Sequence, residues 1–75
     1  MEYHIDLAYI KERRQEMAYS QEYLARLLGF KNACNYFKYE NGTYMFKAVH
    51  LPILASLFKC ELSDFFIEYR EKINT

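Results

Sequence analysis

The sequence predicts an all-α fold, a small bundle of five helices, on three observations. The 75 residues are 52% hydrophobic and 19% aromatic, a composition that folds as a globule rather than persisting as a disordered tail. Residues 20–42, SQEYLARLLGFKNACNYFKYENG, read as two short helices joined by a tight turn. On either side, apolar residues recur at three- and four-residue intervals, the period of a helix with one buried face. A chain this short holds one domain with one modest core, and no separate sensor or catalytic domain.

Residues 1–6 read as a short N-terminal arm and residues 7–73 as the single domain. Leu7, Ile10, Arg14 and Met17 fall at spacings of three, four and three, which predicts a first helix over about residues 6–17 with an arginine on its buried stripe. An unpaired buried charge is costly, so a buried guanidinium needs a carboxylate. Glu40, on the same face as Tyr36 in the third helix, is the best candidate for a structural buried ion pair with Arg14. The bland alternative leaves both at the edge, touching only water.

Ser20 is an N-cap type whose hydroxyl can accept from the free N–H groups of a first turn, and Tyr19 and Leu24 stand at hydrophobic-staple spacing around it. The second helix therefore starts near Gln21. Leu24, Leu27 and Leu28 form its expected buried stripe, and Gly29 is the residue best able to take the left-handed conformation that ends it. Ala25 and Gly29 are small enough to let two helices cross closely. Asn32, another N-cap type, starts the third helix, which runs to about Glu40.

The fourth helix is apolar, with Val49, Leu51, Leu54, Leu57 and Phe58 expected to face inward. Pro52 is tolerated only near a helix start, which places that start at His50 or Leu51 and leaves Phe46 to plug the core from an irregular segment. His50 has no nearby His or Cys and reads as a cap or surface residue rather than a metal ligand; the same holds for His4. Leu62, Phe65, Phe66, Tyr69 and Ile73 predict a fifth, amphipathic helix over residues 63–73. Ile67 falls outside that stripe as a second small apolar patch, either a stray exposed isoleucine or a homodimer contact.

The run Ser20-Gln21-Glu22, then Leu24-Ala25, Leu28-Gly29 and Tyr39-Glu40-Asn41-Gly42 resembles the lambda-repressor-like, Cro/CI-type (XRE) helix-turn-helix domains, from about Ile10 to Phe66. The resemblance implies a five-helix lambda-repressor-like bundle with the helix-turn-helix as helices 2 and 3. It further implies a regulator of bacterial, phage or mobile-element origin that binds double-stranded DNA, and it points to the same Arg14–Glu40 pair. Family members often bind paired half-sites as two-fold dimers, so a homodimer is expected. The interval between Gly29 and Glu40 is one residue longer than the commonest family pattern, so the pattern does not fix which side chains reach the bases.

With Tyr36, Tyr39 and Glu40 facing inward, the third helix leaves Lys31, Cys34, Asn35, Lys38 and Asn41 on its outer face, with Phe37 at the flank. That chemistry suits a major groove: lysine donates to guanine, asparagine bonds adenine in bidentate fashion, and an apolar group touches a thymine methyl. The expected base-reading residues are Lys31, Asn32, Asn35, Phe37 and Lys38, with Asn32 also able to serve only as a cap. Gln21, at a helix start that favours anions and at a family position that commonly meets the backbone, is expected on a phosphate. Asn41, Thr43, Tyr44 and Lys47 are expected there too, from the loop after the third helix. An ordinary solvated helix face is the competing reading, and Asn41-Gly42 is in any case a good turn pair.

Ten basic and ten acidic residues give a formal net charge of zero, whereas nucleic-acid binders usually carry a basic surplus. The distribution is uneven. Over residues 26–47 the charges are Arg26, Lys31, Lys38 and Lys47 against Glu40 alone, whereas from Glu61 onward Glu61, Asp64, Glu68 and Glu71 outnumber Arg70 and Lys72. Such a dipolar domain can offer one face to phosphates while its non-specific affinity stays weak. The alternative function on the same fold is a protein-interaction module or an antitoxin with weak DNA binding.

Other classes find little support. There is no Gly-rich phosphate loop, no cluster of His and carboxylates and no nucleophile with an obvious base, so no enzyme, cofactor, metal or small-molecule ligand is expected. No apolar run is long enough to cross a bilayer and no leader is visible, so a cytoplasmic protein is expected. Cys34 and Cys60 lack the spacing of a zinc motif and are expected to stay reduced.

Overall fold

Asp6 opens the first helix: its carboxylate accepts from the Tyr9 N–H at 3.0 Å, meeting one of the donors that a helix start leaves free. The computed structural model describes residues 2–69, and this helix, α1, runs Leu7–Glu16. The chain then turns through Ala18 at φ 59°, a left-handed conformation that any Cβ makes unfavourable. Helix α2, Gln21–Leu28, is capped by the Ser20 hydroxyl, which accepts from the Tyr23 N–H at 3.0 Å. It ends at Gly29 with φ 80°, and glycine takes that angle without steric cost. The Asn32 side chain accepts from the Asn35 N–H at 2.9 Å and starts α3, Ala33–Glu40.

Helix α4 runs His50–Phe58, which makes Pro52 its third residue. N–H groups of a first turn have no partner inside the helix, so the proline removes nothing there. Lys59 at φ 54° closes the helix in the left-handed region. Its last carbonyls are met from outside: the Arg13 guanidinium donates to the Phe58 carbonyl, and the Tyr19 hydroxyl donates to that of Leu57 at 3.3 Å.

Among the described residues there are four α-helices, not five. The stretch expected as a fifth helix is one turn of 3-10 helix, Leu62–Phe65, followed by a strand, β2, Phe66–Tyr69; Ile73 lies outside the described residues. Residues expected as an arm form strand β1, Glu2–Ile5, which pairs antiparallel with β2 in the register Tyr3↔Glu68, His4↔Ile67 and Ile5↔Phe66. The physical reason is that Phe66-Ile67-Glu68-Tyr69 is aromatic and β-branched, a composition that packs well in a strand, and its partner lies at the other end of the chain. Leu62, Phe65, Phe66 and Tyr69 fit a helical stripe, yet local period says nothing of a distant partner. The turn is held by a reciprocal cap between Glu61 and Asp64, with Asp64 Oδ2 accepting from the Glu61 N–H at 3.0 Å. The Asp6 N–H then donates to the Phe65 carbonyl at 2.6 Å, which fixes the ribbon to the start of α1.

The core is filled by Ile10, Leu24, Tyr36, Leu54, Phe58 and Phe65, all fully buried, with Phe46 entering from the segment between α3 and α4. Two stripes differ from expectation. Leu27 is exposed while Ala25 is buried, because the crossing of α2 with α3 takes the small residue; Val49 is exposed because it precedes α4.

His50 is buried rather than on the surface. Its Nδ1 accepts from the Lys47 N–H at 3.0 Å, and its ring meets Phe30, Tyr39 and Phe46 edge-on. Burial, with Lys47 nearby, holds its pKa below the ordinary histidine value. A depressed pKa gives stability that is complete above the unfolded-state value of about 6.5 and declines as pH falls through the folded value. Unfolding free energy is therefore expected to decrease on acidification from about pH 7 to pH 5, and His50→Phe to flatten that slope in denaturant titrations. An unchanged slope would place the titrating group elsewhere.

Candidate nucleic-acid interface

The outer face of α3 is set by what clamps its inner face. Tyr36 is fully buried, Tyr39 stacks on Phe30 with ring centroids 4.4 Å apart, and Glu40 is 6% exposed. Arg14 of α1 engages that carboxylate through two hydrogen bonds, Nε to Oε2 at 2.8 Å and Nη2 to Oε1 at 3.1 Å, while its Nη1 donates to the Tyr19 carbonyl at 3.0 Å. The Tyr36 hydroxyl donates to Oε2 at 2.6 Å, and Gln21 Nε2 reaches Oε1 at 3.5 Å.

One carboxylate thus joins α1, the start of α2 and the last turn of α3. Burial alone would raise the Glu40 pKa, but the hydrogen bonds from Arg14 and Tyr36 and the arginine charge outweigh it, so Glu40 stays ionised below the ordinary carboxylate range. The bond to Glu40 in turn raises the Arg14 pKa, and burial, then the bond to Glu40, hold the Tyr36 hydroxyl well above its ordinary value. A two-pronged guanidinium–carboxylate contact fixes angle as well as distance, so α3 is oriented from behind.

On the opposite face, Lys31 and Cys34 are exposed, Asn35 and Lys38 are half-buried, and Phe37 is 47% exposed. Lys38 Nζ lies 5.5 Å from the centre of the Tyr44 ring, and its carbonyl accepts from the Tyr44 N–H at 3.0 Å. Tyr44 in turn packs edge-on against Tyr39 at 5.5 Å. The lysine is therefore steered by an aromatic face while its ammonium keeps free donors.

Several expected contact residues already have local duties. The Asn32 side-chain oxygen caps α3 and leaves its amide nitrogen for another partner. The Asn41 side-chain oxygen accepts from both the N–H and the hydroxyl of Thr43, at 2.9 and 2.7 Å, which shapes the turn after α3. Gly42 completes that turn at φ 90°, where a Cβ would stand 3.2 Å from a methyl of Leu7. Gln21, the first residue of α2, directs its amide nitrogen to Glu40. Lys47 is exposed, with its backbone N–H given to His50. The structure thus brings Gln21, Phe37 and Asn41 to one cleft, Lys31 and Asn32 to another, and Lys38 against Tyr44.

The packing roles of Arg13 and His50 escaped the sequence reading. For Arg13 a signal exists in a cation near the C-terminal end of another helix, where the helix dipole favours positive charge, but it depends on knowing that α1 meets the end of α4. Among the described residues no group of three or more His, Cys, Asp or Glu could hold a metal ion. No described helix is long and apolar enough to cross a membrane.

Two short capped helices crossing closely, the second with a clamped inner face and a cationic outer one, define a helix-turn-helix DNA-binding module. A family model described as Helix-turn-helix matches residues 10–65, from α1 into the 3-10 turn, and the chain belongs to that family, as a lambda-repressor-like domain of the Cro/CI type. The family is one of DNA-binding regulators, not of enzymes. No curated protein and no solved structure matches the chain.

Proposed function

We propose that the protein is a sequence-specific, double-stranded DNA-binding transcriptional regulator, a repressor or Cro-like protein, that seats α3 in the major groove. The observation that carries this reading is the pairing of a polar, cationic outer face on α3 with a buried ion pair that orients the helix from behind. Lys31, Asn32, Asn35, Phe37 and Lys38 read bases; Gln21, Asn41, Thr43, Tyr44 and Lys47 meet phosphates. The unit is the single domain of residues 7–73 with β1 laid against it, acting in the cytoplasm of a bacterium or on behalf of a phage.

A homodimer on paired half-sites is part of the reading. Its contact lies elsewhere than on a fifth helix, since Phe66–Tyr69 is a strand. A second reading, a protein-interaction module or antitoxin on this fold, draws on the zero net charge and on the exposure of Tyr3, Tyr44, Met45 and Phe66.

Lys38 separates specific from general DNA contact. Lys38→Ala is expected to weaken binding of the preferred duplex by about 1–3 kcal/mol and to weaken an unrelated duplex much less. Titration of both duplexes at one salt concentration checks this, and equal weakening would make Lys38 a phosphate contact.

A further inference from the structure

We infer that Lys11 is a further DNA-contacting residue, which meets a backbone phosphate at the cleft between α1 and the C-terminal end of α3. The inference rests on the DNA-binding reading above and adds a residue to it. The cleft encloses about 280 Å³, and its lining includes Lys11, Gln21, Phe37, Glu40 and Asn41. Phe37 and Asn41 belong to the outer face and end of α3, and Gln21 is the first residue of α2. The cleft therefore opens beside the face that reads bases, at the rim of a groove occupied by α3.

Charge decides what that rim can hold. Glu40 is the acidic group in the cleft, but its two oxygens are taken by Arg14, Tyr36 and Gln21. The Arg14–Glu40 pair is neutral as a unit, so Lys11 sets the sign of the cleft. Lys11 is exposed and forms no ion pair with any described residue. It stands one turn from both Leu7 and Arg14 on α1, so the clamp that fixes α3 also fixes the backbone that carries this lysine.

The phosphate contacts proposed above include one cation, Lys47, with neutral groups at the other positions. Lys11 puts a full charge beside Gln21 and Asn41. Counterion release depends on how many phosphates are neutralised locally rather than on net charge, so a neutral chain can bind DNA through a few cations placed this way.

The test titrates wild type, Lys11→Ala and Lys59→Gly against a duplex selected from a random pool and against an unrelated duplex, over a range of salt concentrations. Alanine is well tolerated at an exposed helix position. Lys59→Gly removes the same charge at the end of α4, in a left-handed conformation that suits glycine. Lys11→Ala is expected to make the slope of log affinity against log salt shallower by about one, and to weaken both duplexes about eightfold at 0.1 M salt; Lys59→Gly is expected to leave the slope unchanged. An unchanged slope for Lys11→Ala, or an equal change for Lys59→Gly, overturns the inference while the DNA-binding reading stands. Failure of wild type to bind either duplex overturns both.

Discussion

Arg14→Ala is expected to cost about 3–5 kcal/mol of unfolding free energy, because it leaves the Glu40 carboxylate buried with its two-pronged partner gone. A domain of this size has about 5–15 kcal/mol in all, so the loss corresponds to a fall in melting temperature of about 12 °C or more. Arg14→Lys keeps the charge but not the planar fork and is expected to fall between the two.

The pH dependence distinguishes this mechanism from simple loss of packing. In the wild type the Glu40 pKa is lowered, so its contribution is complete above the unfolded value of about 4.3 and is lost as pH falls through the folded one. In Arg14→Ala burial dominates and raises the Glu40 pKa, so the penalty is relieved at acid pH and grows as pH rises. The difference in stability between variant and wild type should therefore shrink on acidification. A loss below about 1 kcal/mol at neutral pH, the range of an exposed pair, would show that the clamp does not hold α3.

Phe65→Ala is expected to cost a similar amount, about 3–5 kcal/mol, the range for removing a buried phenylalanine, whereas Phe66→Ala should cost well under half as much. Phe65 is fully buried against Tyr9 and Phe58, with ring centroids 6.0 and 6.2 Å away. Its neighbour Phe66 is 40% exposed on the ribbon. A 3-10 turn leading into a strand points consecutive residues in different directions, while in the expected fifth helix both would sit on one buried stripe. Denaturant unfolding of the two variants decides between the geometries, and equal losses would contradict the turn and strand. The Phe65 carbonyl, which accepts from the Asp6 N–H and joins the ribbon to α1, is kept in Phe65→Ala, so the loss reports the buried ring.

These two sites mark what was legible in the sequence. The four α-helices were readable because their signals are local: Ser20 and Asn32 cap, Gly29 terminates, and Pro52 allows only a start nearby. An arginine inside an apolar stripe is a signal of the same kind, visible through period alone. The ribbon was not legible because β1 and β2 lie at opposite ends of the chain and the apolar residues of 62–69 satisfy the helical period as well as the strand. Leu27, expected on the buried stripe, is exposed, while Ala25 takes the close helix crossing that its small size suits.

At the candidate interface, period located the outer face of α3 but not the other commitments of its residues. Asn32, Asn41 and Gln21 spend part of their hydrogen-bonding capacity within the fold, and Lys38 is steered by Tyr44. Lys11 was hidden for a different reason: the stripe of α1 marks what faces the core, and an exposed lysine gains meaning only when its helix is placed beside α3.

The central claim, that α3 reads base sequence, is tested most directly by selecting bound duplexes from a random DNA pool and titrating the best of them at two salt concentrations. The expected result is an enriched motif with steep salt dependence, arranged as two symmetric half-sites one DNA turn apart if the protein binds as a dimer. No enrichment, or weak binding indifferent to sequence, would contradict the claim and leave the exposed aromatic surface of the ribbon and loop as the functional face of the fold.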